Sequence, residues 1–533
     1  MPPNDKIQFK SYLNSEDEER IWAFPQKKVS KVPYTRSEYR QNVCEEGPLF
    51  TRLGVQFCHT ILIVMGFIAE FLRHYRLIGS KRAQEREEQK DFPPLGNHFE
   101  SMYSNEIYRM GADVLSRPLC GVPDTNIVIQ NRDFSKEWVL EPIEGKTKAM
   151  NFGSYNYLGF SQIVGPCADA VCKEIDRRGL HNCSTDYESE YFQPQRELEK
   201  KVSRFLGTEE ALCFPNGFGI NTVVLPNLAD KNTLVMSDQL NHSSLLVGMR
   251  ASGAKIVIFN HNGTFNLINL THAIFVEMND LEAKLRQALC ADFSSKTPTI
   301  KKILIVVEGI YSMEGTILNL PRLLEVKQKY NAYLFIDEAH SIGALGGTGR
   351  GITDYWGCDP QQIDVLMGTF TKSFGAAGGY IAGRKHIIDF LRQKSPSRFY
   401  ASALAPPLIS QAIASMEIMM GEEMGRERNE KLIENVRYFR QKLSKLGFLV
   451  YGHEDTAIIS VLTFYMTKSV CFGREALKRG VAVCCVGFPA TPLNKSRVRF
   501  CISSQHTKEQ MDEAIRIADI CGDIVGCKYK KSH

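Results

Sequence analysis

The stretch from Tyr333 to Gly379, YLFIDEAHSIGALGGTGRGITDYWGCDPQQIDVLMGTFTKSFGAAGG, constrains the fold more than any other part of the chain. Its first residues form a short apolar run that ends on Asp337 and then His340, and a second run, Val365 to Met367, leads into Gly-Thr-Phe-Thr-Lys-Ser-Phe-Gly. Apolar runs of this length without alternation read as strands buried on both faces. Each then delivers polar side chains to the C-terminal edge of a sheet, where open α/β sheets bind ligands. The predicted class is therefore α/β, with a large domain built on a central, mainly parallel sheet. A chain of 533 residues exceeds one comfortable core, so a second, smaller domain is expected.

Two neighbouring strand ends that carry an acid, a histidine and a hydroxyl-flanked lysine suit pyridoxal 5'-phosphate. That cofactor needs an amine for its aldehyde, a carboxylate to keep its ring nitrogen protonated and donors for its phosphate. Lys372 and Asp337 are the candidates for the first two tasks. The competing reading, a helix-capping aspartate and a surface lysine, leaves the convergence of these groups unaccounted for.

The same residues carry a resemblance. DEAHSIG followed by GTFTKSFGAAGGYI is similar to the pyridoxal-phosphate α-oxoamine synthases and, among them, to the lysine-bearing long-chain-base subunit (subunit 2 type) of serine palmitoyltransferase, from about Gln89 to the C-terminus. The resemblance implies pyridoxal-phosphate transferase fold type I. It assigns catalysis to Lys372, His242, Asp337 and His340, with His242, in an Asn-His-Ser-Ser-Leu motif, stacking on the cofactor ring. Thr369, Thr371 and the Gly217-Phe218-Gly219 turn match the phosphate-holding positions, and Ser312 in EGIYSMEG lies beside the cofactor or caps its loop. Tyr155, in MNFGSYNYLGF, lines the acyl path or packs in the core. Arg499 matches the arginine that meets a substrate carboxylate, with Arg497 a rival two residues away. The implied reaction is a decarboxylative condensation of L-serine with a long-chain acyl-CoA (palmitoyl-CoA) to 3-ketosphinganine. The implied partner is the related, lysine-lacking long-chain-base subunit 1.

Residues 1–46 are polar, lack a sustained apolar period and read as disordered. A membrane-associated helix is expected over 49–76, because Leu53 to Ala69 carries no charge. At about 1.5 Å per residue that uncharged run reaches about 26 Å, just short of a hydrocarbon core of about 30 Å. Gln56, His59 and Thr60 make an in-plane helix a rival to a spanning one, and a buried core helix is a third reading. Arg73, Arg76, Lys81, Arg82 and Arg86 follow it, against Arg52 nearby upstream. That asymmetry faces the C-terminal part to the cytosol, at the endoplasmic reticulum membrane if the resemblance holds. Beyond lie a linker and substrate-domain entry at 89–150, a large cofactor-binding domain at 151–423 and a small C-terminal domain at 424–533.

A net charge of +5 gives no nucleic-acid signal, and fifteen cysteines without paired metal spacing read as free thiols in a reducing compartment. Two stretches depart from the family pattern. In GLHNCSTDYESEYFQPQRELE, His181 stands where a glycine is expected, Asp186 where an arginine is, Glu190 where a second glycine is and Gln195 where a histidine is. Residues 263–278, GTFNLINLTHAIFVEM, are an apolar insert without a counterpart, either a subunit-contact element or a gene-model error. The first departure keeps open a non-catalytic or divergent regulatory paralogue, or another α-oxoamine synthase, as the alternative function.

Overall fold

The computed structural model describes residues 47–75, 77, 91, 98–133, 140–185, 193–261, 279–295, 299–421 and 424–530. The polar 1–46 segment, the 263–278 insert, Asp186 and Glu190 lie outside them.

The strands in chain order are β1 (Leu119–Cys120), β2 (Asn126–Asp133), β3 (Glu141–Phe152), β4 (Glu210–Phe214), β5 (Thr233–Asp238), β6 (Lys255–Phe259), β7 (Lys302–Glu308), β8 (Tyr333–Asp337), β9 (Val365–Thr369), β10 (Gly379–Gly383), β11 (Val450–Tyr451), β12 (Ile458–Phe464), β13 (Val481–Val486) and β14 (Ser496–Cys501). A seven-stranded sheet in the order β4-β10-β9-β8-β7-β5-β6 forms the large domain. The pairs from β9 through β6 are parallel, and only β10 runs against its neighbours β4 and β9.

Helices cover both faces of this sheet, so its strands carry apolar side chains on both sides. Leu234, Met236, Ile305, Val307, Leu334 and Ile336 enter one core cluster. The alternate residues Val235, Leu304, Val306 and Phe335 enter another, against the helix Gly217–Leu228. This is the period-two consequence of pleating. Because β4, β5, β7, β8 and β9 share one direction, their C-terminal ends open onto a single edge.

The second sheet runs β1-β2-β3-β13-β14-β12-β11. Of its C-terminal strands, β13 pairs with β3 in parallel, Val481 opposite Met150. The 89–150 segment expected to be a linker thus contributes β1, β2 and most of β3 to the sheet of the terminal domain, and a boundary at 150/151 falls inside β3. Local reading missed this because strand pairing is set by residues more than three hundred positions apart.

The N-terminal helix spans Leu49–His74, 26 residues and about 39 Å, and is long and apolar enough to cross a membrane. One face rests on the terminal domain. Val55 packs with Leu449, Tyr451, Leu462 and Phe464, and Gly66 lets the helix approach Met102, whose sulfur would lie 2.5 Å from an added Cβ. His59 is buried on that face, its Nδ1 bonded to the Val55 carbonyl at 3.1 Å. The outward face is apolar: Leu53, Phe57, Ile61, Val64, Met65 and Ile68 are all exposed. This reverses the usual amphipathic arrangement.

Candidate active site

Five strands of the large sheet place the groups. After β8, Asp337 is buried; its Oδ2 accepts from Asn221 Nδ2 at 2.8 Å and its Oδ1 from the Ala339 N–H at 2.9 Å. Glu308 is its register partner at the end of β7. Burial and the adjacent Asp337 charge push the Glu308 carboxyl well above the usual carboxylate range, while the His242 N–H, donated to Glu308 Oε1 at 2.5 Å, opposes this.

Lys372 follows β9. Burial lowers its ammonium to about 8, against the upward pull of Asp337 and Glu308. Its Nζ lies 5.5 Å from the centre of the Tyr155 ring, whose edge also meets the His340 ring at 5.1 Å between centroids. His340 is buried, and burial followed by the Lys372 charge drives it well below the ordinary imidazole range. Tyr157, fully buried and held as a neutral phenol by that burial, sits 2.9 Å from His340 Nδ1.

The glycine turn after β4 opens the helix Gly217–Leu228, with Asn216 capping it by accepting from the Gly219 N–H at 3.2 Å. This helix start meets the end of β9: a Cβ on Gly217 would lie 2.9 Å from Thr369 Oγ1. Thr369 Oγ1 lies 2.6 Å from Thr371 Oγ1 and donates to the Gly378 carbonyl at 2.9 Å. Two hydroxyls and a helix N-terminus in van der Waals contact form a cradle for an anion. Beside it, the Phe218 ring stands edge-on to His242, 6.0 Å between centroids. Burial lowers the His242 imidazole, with Asp337 pulling it up and Lys372 down.

The second sheet brings the guanidinium groups. Arg497 is fully buried and committed: its Nη1 donates to the Met313 carbonyl at 2.9 Å and pairs with Glu314 at 3.0 Å. Arg499 donates through Nη1 to the Ser312 carbonyl at 3.0 Å and through Nη2 to the Tyr155 hydroxyl, with its guanidinium 4.9 Å from the Tyr155 ring. It also lines a cavity of about 580 Å³ with Tyr103, Tyr108, Met313, Cys484 and Phe488. The structure thus separates two arginines that the sequence left as rivals. Ser312 meets Arg499 through its backbone.

Lys372, Asp337, His340, His242, Thr369, Thr371, Gly217, Phe218, Ser312, Arg499 and Tyr155 therefore surround one edge of the large sheet. Sequence reasoning assigned no role to Asn221 or Glu308, and it read Tyr157, like Tyr155, as lining the acyl path or packing in the core. Asn221 was within reach, because it lies one helical turn beyond Gly217 and so shares its face. Around the departures from the family pattern, Ser184 and Thr185 pair with Ser402 and Ala403, His181 Nδ1 accepts from the Cys183 N–H at 2.8 Å, and Gln195 is buried. Every cysteine among the described residues is free, and no described cluster could hold a metal.

Residues 147–517 match the family model of class I and II aminotransferases. Serine palmitoyltransferase 2 of Caenorhabditis elegans is 43% identical over 497 residues, 92% of this chain and 87% of its own. Serine palmitoyltransferase 3 of Homo sapiens is 41% identical over 494 residues, 91% of this chain and 87% of its own. Among solved structures, a high-resolution structure of SPT with PLP superposes with a TM-score of 0.68 at 25% identity, over 80% of this chain and 98% of its own. The Sphingomonas wittichii serine palmitoyltransferase shares the fold, with a TM-score of 0.69 at 24% identity over 81% of this chain and 99% of its own. With its amine, acid and anion cradle on the edge where that fold places its chemistry, the chain belongs to the serine palmitoyltransferase family of the class I and II aminotransferases.

Proposed function

We propose that the chain is the catalytic subunit of a serine palmitoyltransferase, condensing L-serine with a long-chain acyl-CoA such as palmitoyl-CoA, with loss of carbon dioxide, to 3-ketosphinganine. The observation that carries this reading is the convergence of Lys372, Asp337, the Thr369–Thr371–Gly217 cradle and Arg499 on one sheet edge.

The residues present fit pyridoxal 5'-phosphate. The cradle beside Gly217 has no room for a side chain but has two hydroxyls and helix amides for a phosphate. Asp337 offers a carboxylate for a ring nitrogen, and Lys372 an amine for an aldehyde. When bound, the cofactor supplies an electron sink for the carbanion formed at the serine α-carbon.

The chain's own groups do the rest. At pH 7 to 8 an ammonium with a pKa of about 8 exchanges readily with its neutral form, so Lys372 can act as a nucleophile toward the aldehyde and afterwards carry the serine α-proton. Arg499, fixed by Ser312 and Tyr155, meets the serine carboxylate and orients the bonds at the α-carbon. His340, kept neutral by burial and the Lys372 charge, offers a ring N–H without adding charge. His242 forms the platform for the ring. The apolar cavity beside Arg499, of the size common for ligand pockets, accommodates the acyl chain next to the reacting carbon.

The outward apolar face of the Leu49–His74 helix supports seating on a membrane, with the catalytic part in the cytosol at the endoplasmic reticulum. A lipid surface suits an acyl donor and a product that both partition into bilayers. The working assembly in this reading is a heterodimer with the lysine-lacking related subunit, the partner that the family resemblance implies.

The test is reconstitution with that subunit and labelled L-serine. Borohydride reduction is expected to fix the cofactor to Lys372, and Lys372→Ala to abolish both fixation and product. Product from the alanine variant would remove the assignment.

A further inference from the structure

Asn221 is 1% exposed and lies on the helix that opens at Gly217. Its amide nitrogen donates twice, to Asp337 Oδ2 at 2.8 Å and to Ser244 Oγ at 3.0 Å. Ser244 Oγ is in turn 2.8 Å from His242 Nδ1, which also accepts from the Ser244 N–H at 3.3 Å. An Nδ1 that accepts from a backbone N–H carries no proton, so the Ser244 hydroxyl is the donor to it and the acceptor from Asn221. The amide orientation follows from its neighbours: turned over, its oxygen would face a carboxylate oxygen at 2.8 Å and the bond to Ser244 would be lost. Asn221 Oδ1 itself has no partner among the described residues. The backbone is equally fixed, because the Asn221 carbonyl would lie 2.2 Å from a Cβ on Gly248 of the helix Ser243–Ala251.

We propose that Asn221 is a positioning residue that joins the Asp337 carboxylate and the His242 ring into one rigid unit through the Ser244 hydroxyl. The proposal rests on the function given above, in which the acid meets the ring nitrogen and the imidazole meets the ring face. A flat cofactor requires those two groups to hold one mutual geometry. They follow the ends of different strands, β8 and β5, and the Asn221 amide together with the Ser244 hydroxyl spans the gap. The relay also fixes the His242 tautomer, with its proton on Nε2. The ionisable groups electrostatically coupled around it are Asp337, Glu308, Lys372 and His242 itself.

Two substitutions separate this from mere packing between two helices. Asn221→Asp keeps the shape and the close helix approach, replaces two N–H donors by at most one O–H and adds a third carboxyl beside Asp337 and Glu308. Ser244→Ala cuts only the limb to His242. Pyridoxal phosphate affinity, measured by equilibrium dialysis on the full-length chain paired with its subunit, is expected to fall at least about tenfold in N221D, as for lost hydrogen bonds to a charged group. In S244A it should stay within about threefold while kcat drops about tenfold, as for a misplaced catalytic group.

In protein freed of cofactor, the buried carboxyl of N221D has a raised folded-state pKa. Its melting temperature should therefore fall with rising pH above about 4 more steeply than that of the wild type. Wild-type affinity in N221D, equal losses of affinity in the two variants, or parallel pH profiles would each overturn the relay. Should N221D fail to fold, Asn221→Ser is read by the same affinity, a tenfold loss supporting the relay and wild-type binding overturning it. A wild-type complex that takes up no pyridoxal phosphate overturns the site itself and the relay with it, which sets that failure apart from the others.

Discussion

Replacing Arg499 by lysine tests the substrate geometry. The guanidinium spends one nitrogen on the Ser312 carbonyl and another on the Tyr155 hydroxyl, yet its planar fork still presents N–H groups to a carboxylate at the cavity. A lysine ammonium is a single point that cannot serve both anchors and a bidentate ligand. Losing one charge-assisted hydrogen bond costs about 1.5–3 kcal/mol, which is roughly a 10- to 150-fold rise in the KM for L-serine. The contact exists before and during reaction, so kcat should change much less and the KM for acyl-CoA hardly at all. Arg497→Lys is the control. Its guanidinium holds Glu314 and the Met313 carbonyl, so the lysine variant should lose about 1–3 kcal/mol of stability and keep its serine KM within about twofold. Steady-state kinetics with both substrates and chemical denaturation of both variants decide the matter. The reasoning fails if R497K raises the serine KM while R499K leaves it unchanged.

Cofactor uptake by the free chain should accelerate as pH rises, with a midpoint at about 8, because the neutral Lys372 amine is the attacking form; stopped-flow absorbance checks this, and Asp337→Asn should shift the midpoint lower, since Asp337 holds that amine's pKa up. The unfolded chain binds the additional proton between about 8 and 10.5, so this group's contribution to stability rises with pH across that window. Gly217→Ala places a Cβ 2.9 Å from Thr369 Oγ1 and should weaken pyridoxal phosphate binding about tenfold with little change in melting temperature, read by dialysis and calorimetry. Replacing Phe57, Val64 and Ile68 by glutamate charges only the outward face of the N-terminal helix; vesicle flotation should show binding lost while the cofactor band persists.

The sequence by itself marked the large α/β domain and its buried strands. Asp337, His340 and Lys372 were legible because each follows closely on an apolar run, whereas the other candidate site residues were found through the family resemblance. The terminal strands Ile458–Phe464 and Val481–Val486 were legible for the same reason. Tertiary structure alone decided what depends on distant partners. Arg497 and Arg499 have the same chemistry and neighbouring places on β14, and only the loop at Ser312 to Glu314 packed over them commits one to Glu314 and frees the other for the cavity. β1 to β3 reveal their sheet only when β13 comes to lie against β3. Composition marked the Leu49–His74 helix as apolar, but which of its faces lies against the protein was fixed by packing on β12 and Met102. Asn221 carries no charge, and its role exists only because folding brings the helix Gly217–Leu228 within hydrogen-bonding reach of the end of β8 and of the start of the helix Ser243–Ala251.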